Sequence, residues 1–111
     1  VSERQILIDR VNAVLRRHTD VASLTFARVG DSIDARLRLS GSGLIALRMH
    51  RLSATNFEAL NTHQMSLFIA DVRADQHDLA SYQIADHIDD SVLWRCQSII
   101  LVTNGERIEL L

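Results

Sequence analysis

The sequence predicts an α+β fold: a mostly antiparallel β meander of about seven strands, in a small sandwich or one curved sheet, with one N-terminal helix. Three observations carry that reading. Apolar residues recur with helical spacing over residues 2–18, alternation with period two takes over after "HTD", and turn signals interrupt it at "GD", "SGSG" and "NG".

Within the helix, Ser2 and Gln5 have the spacing of a capping box. Leu7, Val11, Val14 and Leu15 form an apolar stripe, with Asp9, Asn12 and Arg16 opposite and Arg10 and Arg17 along the margin. In "SLTFARVGDSIDARLRL", a two-residue turn at Gly30-Asp31 sets Val29 opposite Ser32, Phe26 opposite Ala35 and Leu24 opposite Leu37. One face then carries Leu24, Phe26, Ile33, Ala35, Leu37 and Leu39; Thr25, Asp34, Arg36 and Arg38 share the other. A one-residue slip would mix the two faces, so the register is well specified.

A loop from Gly41 to Gly43 next places Leu39 against Ile45, Leu37 against Leu47 and Ala35 against Met49, with Gly43 expected in the left-handed region. "LSATNFEALNTHQ" breaks the alternation; Thr55 and Glu58 could cap one helical turn, or the segment is a loop. "MSLFIADV" is apolar on both faces, as for a strand inside a sheet or sandwich. "ASYQIA" reads as a short strand and "SVLWRCQSIILV" as a long one. Asn104-Gly105 pairs Thr103 with Glu106, Leu101 with Ile108 and Ile99 with Leu110, putting the last four on one face.

A chain of 111 residues, 47% hydrophobic and 23% charged, is expected to fold as one domain spanning residues 1–111. No apolar run reaches the ~18–20 residues of a membrane span, and "VSERQILIDR" lacks the n-region, h-region and cleavage site of a secretory signal. Cys96 stands alone and so forms no internal disulfide. A cytoplasmic protein with no membrane partner is the expectation. All twelve basic residues are arginine, and the all-Arg usage is compatible with a high-GC bacterial genome.

The chemistry-bearing residues do not assemble into a motif. His18, His50, His63, His77, His87 and Cys96 show no CxxC, HxxxH or HExxH spacing; Asp75 and His77 in "DQHD" come nearest to a divalent site. Cys96 lies in an apolar strand near Trp94 and Ile99, which favours an inert, buried thiol. "SGSG" joins two strands and opens no helix, so it is no phosphate loop. No catalytic residue, metal site or cofactor is expected, and the chain is read as a non-enzyme. Arg36 and Arg38 on one strand, with Arg48 and Arg51 on the next, invite a nucleic-acid reading. Few aromatics and a pI near 6.2 count against it, so no nucleic-acid partner is expected.

Charge is nonetheless uneven. Residues 1–51 hold nine Arg and five acids, residues 52–111 three Arg and nine acids. The acidic excess concentrates in "DVRADQHDLASYQIADHIDD", with Asp71, Asp75, Asp78, Asp86, Asp89 and Asp90. Aspartate favours turns, which accounts for part of that count; a docking surface for a basic protein accounts for the rest. Those six aspartates are the expected partner-binding residues.

Over residues 43–102, the succession "GLIALRMHRLSATNFEALN", "MSLFIADVRADQ", "YQIADHIDD" and "LWRCQSIIL" resembles small bacterial immunity proteins of contact-dependent growth inhibition and related polymorphic toxin systems. The likeness lies in the layout: a strand, an irregular segment, a strand ending in Asp, and a late strand with an aromatic and a cysteine. It implies a cytoplasmic inhibitor that binds one cognate toxin domain, often a basic nuclease, and blocks its active site or substrate surface. Two other readings stay open. One is a small-molecule-binding or enzymatic β-domain with a pocket lined by His50, Trp94 or Tyr82. The other is an adaptor or oligomeric subunit joined through the edge "ERIELL".

Overall fold

The computed structural model describes residues 2–55, 64–73, 81–87 and 92–111; Glu58, in the helical turn weighed above, lies outside them. Among the described residues, one helix, α1 (Glu3–Leu15), precedes nine strands: β1 (Asp20–Val29), β2 (Ser32–Ser40), β3 (Leu44–His50), β4 (Ala54–Thr55), β5 (Leu67–Asp71), β6 (Tyr82–Asp86), β7 (Val92–Cys96), β8 (Ser98–Thr103) and β9 (Glu106–Leu110). They form two antiparallel sheets, of order β1-β2-β3-β8-β9 and β4-β7-β6-β5. The α+β class is as expected. The strand count is higher because the long strand breaks at Gln97, its halves entering different sheets, and because β4 adds a short edge.

All three hairpin registers follow the turn chemistry. Gly30 (φ 61°) and Gly105 (φ 109°) take the positive φ that these turns need and that costs glycine little. Leu24 faces Leu37, Leu37 faces Leu47, and Leu101 faces Ile108. Gly43 is not left-handed, contrary to expectation. The constrained glycine of that loop is Gly41, where a Cβ would lie 2.0 Å from the Arg17 carbonyl oxygen. The loop therefore presses its bare backbone against the end of α1.

Ser2 caps α1 by accepting the Gln5 N–H at 3.1 Å, but the Gln5 side chain donates to Asp9 instead of reaching back. The buried stripe is Ile8, Val11 and Leu15, with Leu7 and Val14 at its margins, so the helix is turned slightly from the expected face. Helix and both sheets share one core, built from Leu37, Leu39, Leu47, Met49, Leu101 and Leu110 on one side and Leu67, Ile84 and Trp94 on the other. Ile33 and Phe26 share the inner face but lie beside the Gly30 turn, 41% and 42% exposed, so Ile33 is not a core residue. Among the described residues β5 ends its sheet and is not the interior strand expected from its composition; the Asn12 side chain of α1 meets its outer edge.

Candidate functional site

Alternation along β2, β3 and β8 buries one face of the five-stranded sheet and leaves the other to solvent. Register then determines which side chains meet on the outer face. Thr25, Arg36, Arg48, Ile100 and Glu109 form one row across the sheet, and Ser23, Arg38, Ala46, Val102 and Arg107 the next. Arg36 thus stands directly opposite Arg48, an arrangement in which like charges oppose folding.

The other charges of this face are engaged. Arg107 pairs with Glu109 at 2.8 Å. Asp34 accepts from His50 Nδ1 at 2.8 Å and from the Arg51 N–H at 3.1 Å, with Arg51 held at φ 56°. Burial pushes the Asp34 carboxyl up, but the Arg51 N–H, the His50 ring and the nearby Arg48 charge outweigh it, and the group sits below its ordinary range. The side chains of Arg36, Arg38 and Arg48 make no ion pair or hydrogen bond among the described residues.

Two depressions indent this face. A smaller cleft of about 250 Å³ is lined by Thr25, Asp34, Arg36, Arg48 and His50. A larger groove of about 590 Å³ runs around the end of the sheet beside His18 and Ser42. Bonding of His50 Nδ1 to a carboxylate, which only accepts, puts the ring hydrogen on Nδ1 and fixes the imidazole plane. No hydroxyl or thiol is bonded to its Nε2 among the described residues. What this face can do is hold anionic groups, with Leu44 (48% exposed) and Val102 (38%) supplying apolar contact at its border.

The acidic stretch is distributed differently from the expectation. Asp71 ends β5 and is held by Arg73 through its side chain, at 2.9 Å, and its backbone N–H. The Arg73 guanidinium, against a smaller opposing push from burial, lowers its carboxyl below the ordinary range. Asp86 lies in β6, not in the turn, and is only 6% exposed because it pairs in register with the core residue Leu67. Asp71 is thus neutralised locally and Asp86 is inward. Asp75, Asp78, Asp89 and Asp90, like the Asp75–His77 pair, lie outside the described residues. Among the described residues no three His, Cys, Asp or Glu side chains converge as metal ligands.

Of the residues weighed for a small-molecule pocket, His50 lines the smaller cleft, whereas Trp94 and Tyr82 are packed in the core. Trp94 and Tyr82 are fully buried; the Tyr82 hydroxyl donates to the Leu111 carbonyl at 3.2 Å and the Arg4 guanidinium covers its ring. Cys96 is fully buried, and burial pushes its thiol up to about 12, the inert state expected from its neighbours. The Asp34–His50 pair and the Arg36–Arg48 opposition escape a reading of composition. The signal was present, since the register that sets Ala35 opposite Met49 carries both. Neither a family model, nor a curated protein, nor a solved structure matches the chain.

Proposed function

We propose that the chain is a protein-binding domain of the bacterial immunity type, acting in the cytoplasm by covering a cognate toxin domain with the outer face of its five-stranded sheet. The observation that carries this reading is the Arg36–Arg38–Arg48 cluster, which has no ion pair among the described residues and is bordered by exposed Leu44 and Val102. Arginine beside apolar contact area is the composition of protein interfaces. The likeness of residues 43–102 to immunity proteins supplies the partner class. The contacted patch on the toxin is then acidic, complementary to the arginines.

The test is growth rescue and binding kinetics with a candidate toxin domain taken from the genes that flank this chain's own; flanking genes that encode no toxin would themselves count against the reading. Wild type should protect, and Arg36→Glu/Arg48→Glu should lose protection and associate more slowly, with a flattened salt dependence. Absence of binding by wild type would sink the immunity reading; undiminished binding by the arginine variant would remove only the face. A fourfold Asp-to-Asn variant at Asp75, Asp78, Asp89 and Asp90 belongs in the same series. Slower association there would move the contact to the acidic stretch.

A further inference from the structure

The larger groove is built differently from the open sheet face. Its walls are the C-terminal turn of α1, the loop between β2 and β3, and the turn between β8 and β9. Gly41 lets that loop close against the backbone of Arg17 and His18, two of the lining residues. At about 590 Å³ it falls within the ~300–1,000 Å³ of small-molecule sites.

Its polar equipment is convergent. His18 lines the groove yet is only 6% exposed, and its Nδ1 lies 2.8 Å from the Val14 carbonyl oxygen. A carbonyl only accepts, so Nδ1 carries the hydrogen, and Nε2 is directed toward Ser42, whose Oγ lies 3.5 Å away. That long contact leaves the Ser42 hydroxyl able to turn toward a ligand. Arg17 and Arg38 both line the groove, and neither makes a side-chain ion pair among the described residues. The one carboxylate in the lining, Glu106, is engaged by Arg10. Val14, Leu44 and Val102 add apolar surface to the lining.

We propose that this groove binds an aliphatic carboxylate. The carboxylate lies between the Arg17 and Arg38 guanidinium groups and accepts from the Ser42 hydroxyl, and the hydrocarbon runs along Val14, Leu44 and Val102. Two arginines exclude a cationic ligand. The lining has no Phe, Tyr or Trp on which a nucleobase would stack, and the one imidazole, His18, is buried. The apolar floor has no use in binding a bare inorganic anion, whereas a carboxylate with a hydrocarbon tail uses both halves of the site. The groove shares Arg38, Leu44 and Val102 with the face proposed to meet the toxin, but its test uses the chain alone, so failure of one reading is distinguishable from failure of the other.

The test is an amide NMR titration of the full chain with sodium octanoate, with octanol and octylammonium alongside. Saturable shifts centred on Ser42, Gly43, Leu44, Thr103 and Asn104 are expected with octanoate, and at least tenfold weaker binding of the other two. Arg17→Gln/Arg38→Gln should weaken octanoate at least tenfold while leaving the remaining amide shifts in place, since both side chains are exposed. Should that pair disturb the fold, Arg38→Gln alone and the octanoate–octanol comparison decide the matter. No saturable shift, shifts centred elsewhere, equal binding of octanol, or octanoate affinity unchanged by the arginine substitutions would each overturn the proposal.

Discussion

Asn12 and Ile69 exchange two hydrogen bonds, the Asn12 amide donating to the Ile69 carbonyl at 3.0 Å and its oxygen accepting the Ile69 N–H at 2.7 Å. Ile69 lies in an end strand, and the side-chain amide occupies the place of a neighbouring strand. Helix and sheet are thereby joined at one residue. Replacing Asn12 by Ala removes both partners and should cost ~1–3 kcal/mol in urea unfolding. A change near zero would mean that water substitutes freely for the amide.

Gly41 and Gly43 sit in the same loop and should respond oppositely to alanine. At Gly41 the added Cβ meets backbone at 2.0 Å, so the loop or the end of α1 must shift. At Gly43 the space is open and φ is not positive. Gly41→Ala should lower stability by ~1–3 kcal/mol or more. Gly43→Ala should be near neutral or slightly stabilising through the unfolded chain. Thermal unfolding of both variants measures the contrast; equal effects would contradict the contact.

The hairpins were legible because a turn of known length converts alternation into register, and every pairing counted from Gly30, the Gly41 loop and Asn104 recurs. Position in the sheets was not legible. β5 reads as an interior strand because Leu67 and Ile69 on one face and Phe68 and Ala70 on the other are all apolar, yet its edge is closed by Asn12, fifty-seven residues earlier in the chain. Periodicity describes a strand's own faces and carries no information on what lies beside it. The same limit applied to the site. Arg36, Arg38 and Arg48 were visible as a basic cluster, but the groove brings His18, Ser42 and Asn104 together from three connections whose mutual approach only the packed fold defines.

Asp34 gives a pH dependence of known sign. Its carboxyl lies below its ordinary range in the folded chain, so the folded state favours the ionised form. That contribution is complete above the unfolded value of ~3.9 and is lost as pH falls through the lower folded value. Asp34→Asn should therefore be less stable than wild type at pH 7, and the gap should narrow as pH falls below ~4. Chemical unfolding of both proteins across pH 3 to 7 tests this. A gap that widened toward acid would reverse the assignment.

The opposition of Arg36 and Arg48 predicts a conflict between stability and binding. Removing a like-charge cross-strand pair should stabilise the sheet, and replacing one member with an acid should add an attractive pair in its place. Arg36→Glu is therefore expected to raise folding stability by ~0.2–1 kcal/mol, more at low salt than at high. The same substitution removes positive charge from the face proposed to meet an acidic toxin surface, and association should slow. A variant that folds better and binds worse is the signature of a residue kept for its partner. If Arg36→Glu instead lowers stability at low salt, the two guanidinium groups do not repel as their register implies. The like-charge pair would then no longer mark this face as an interface.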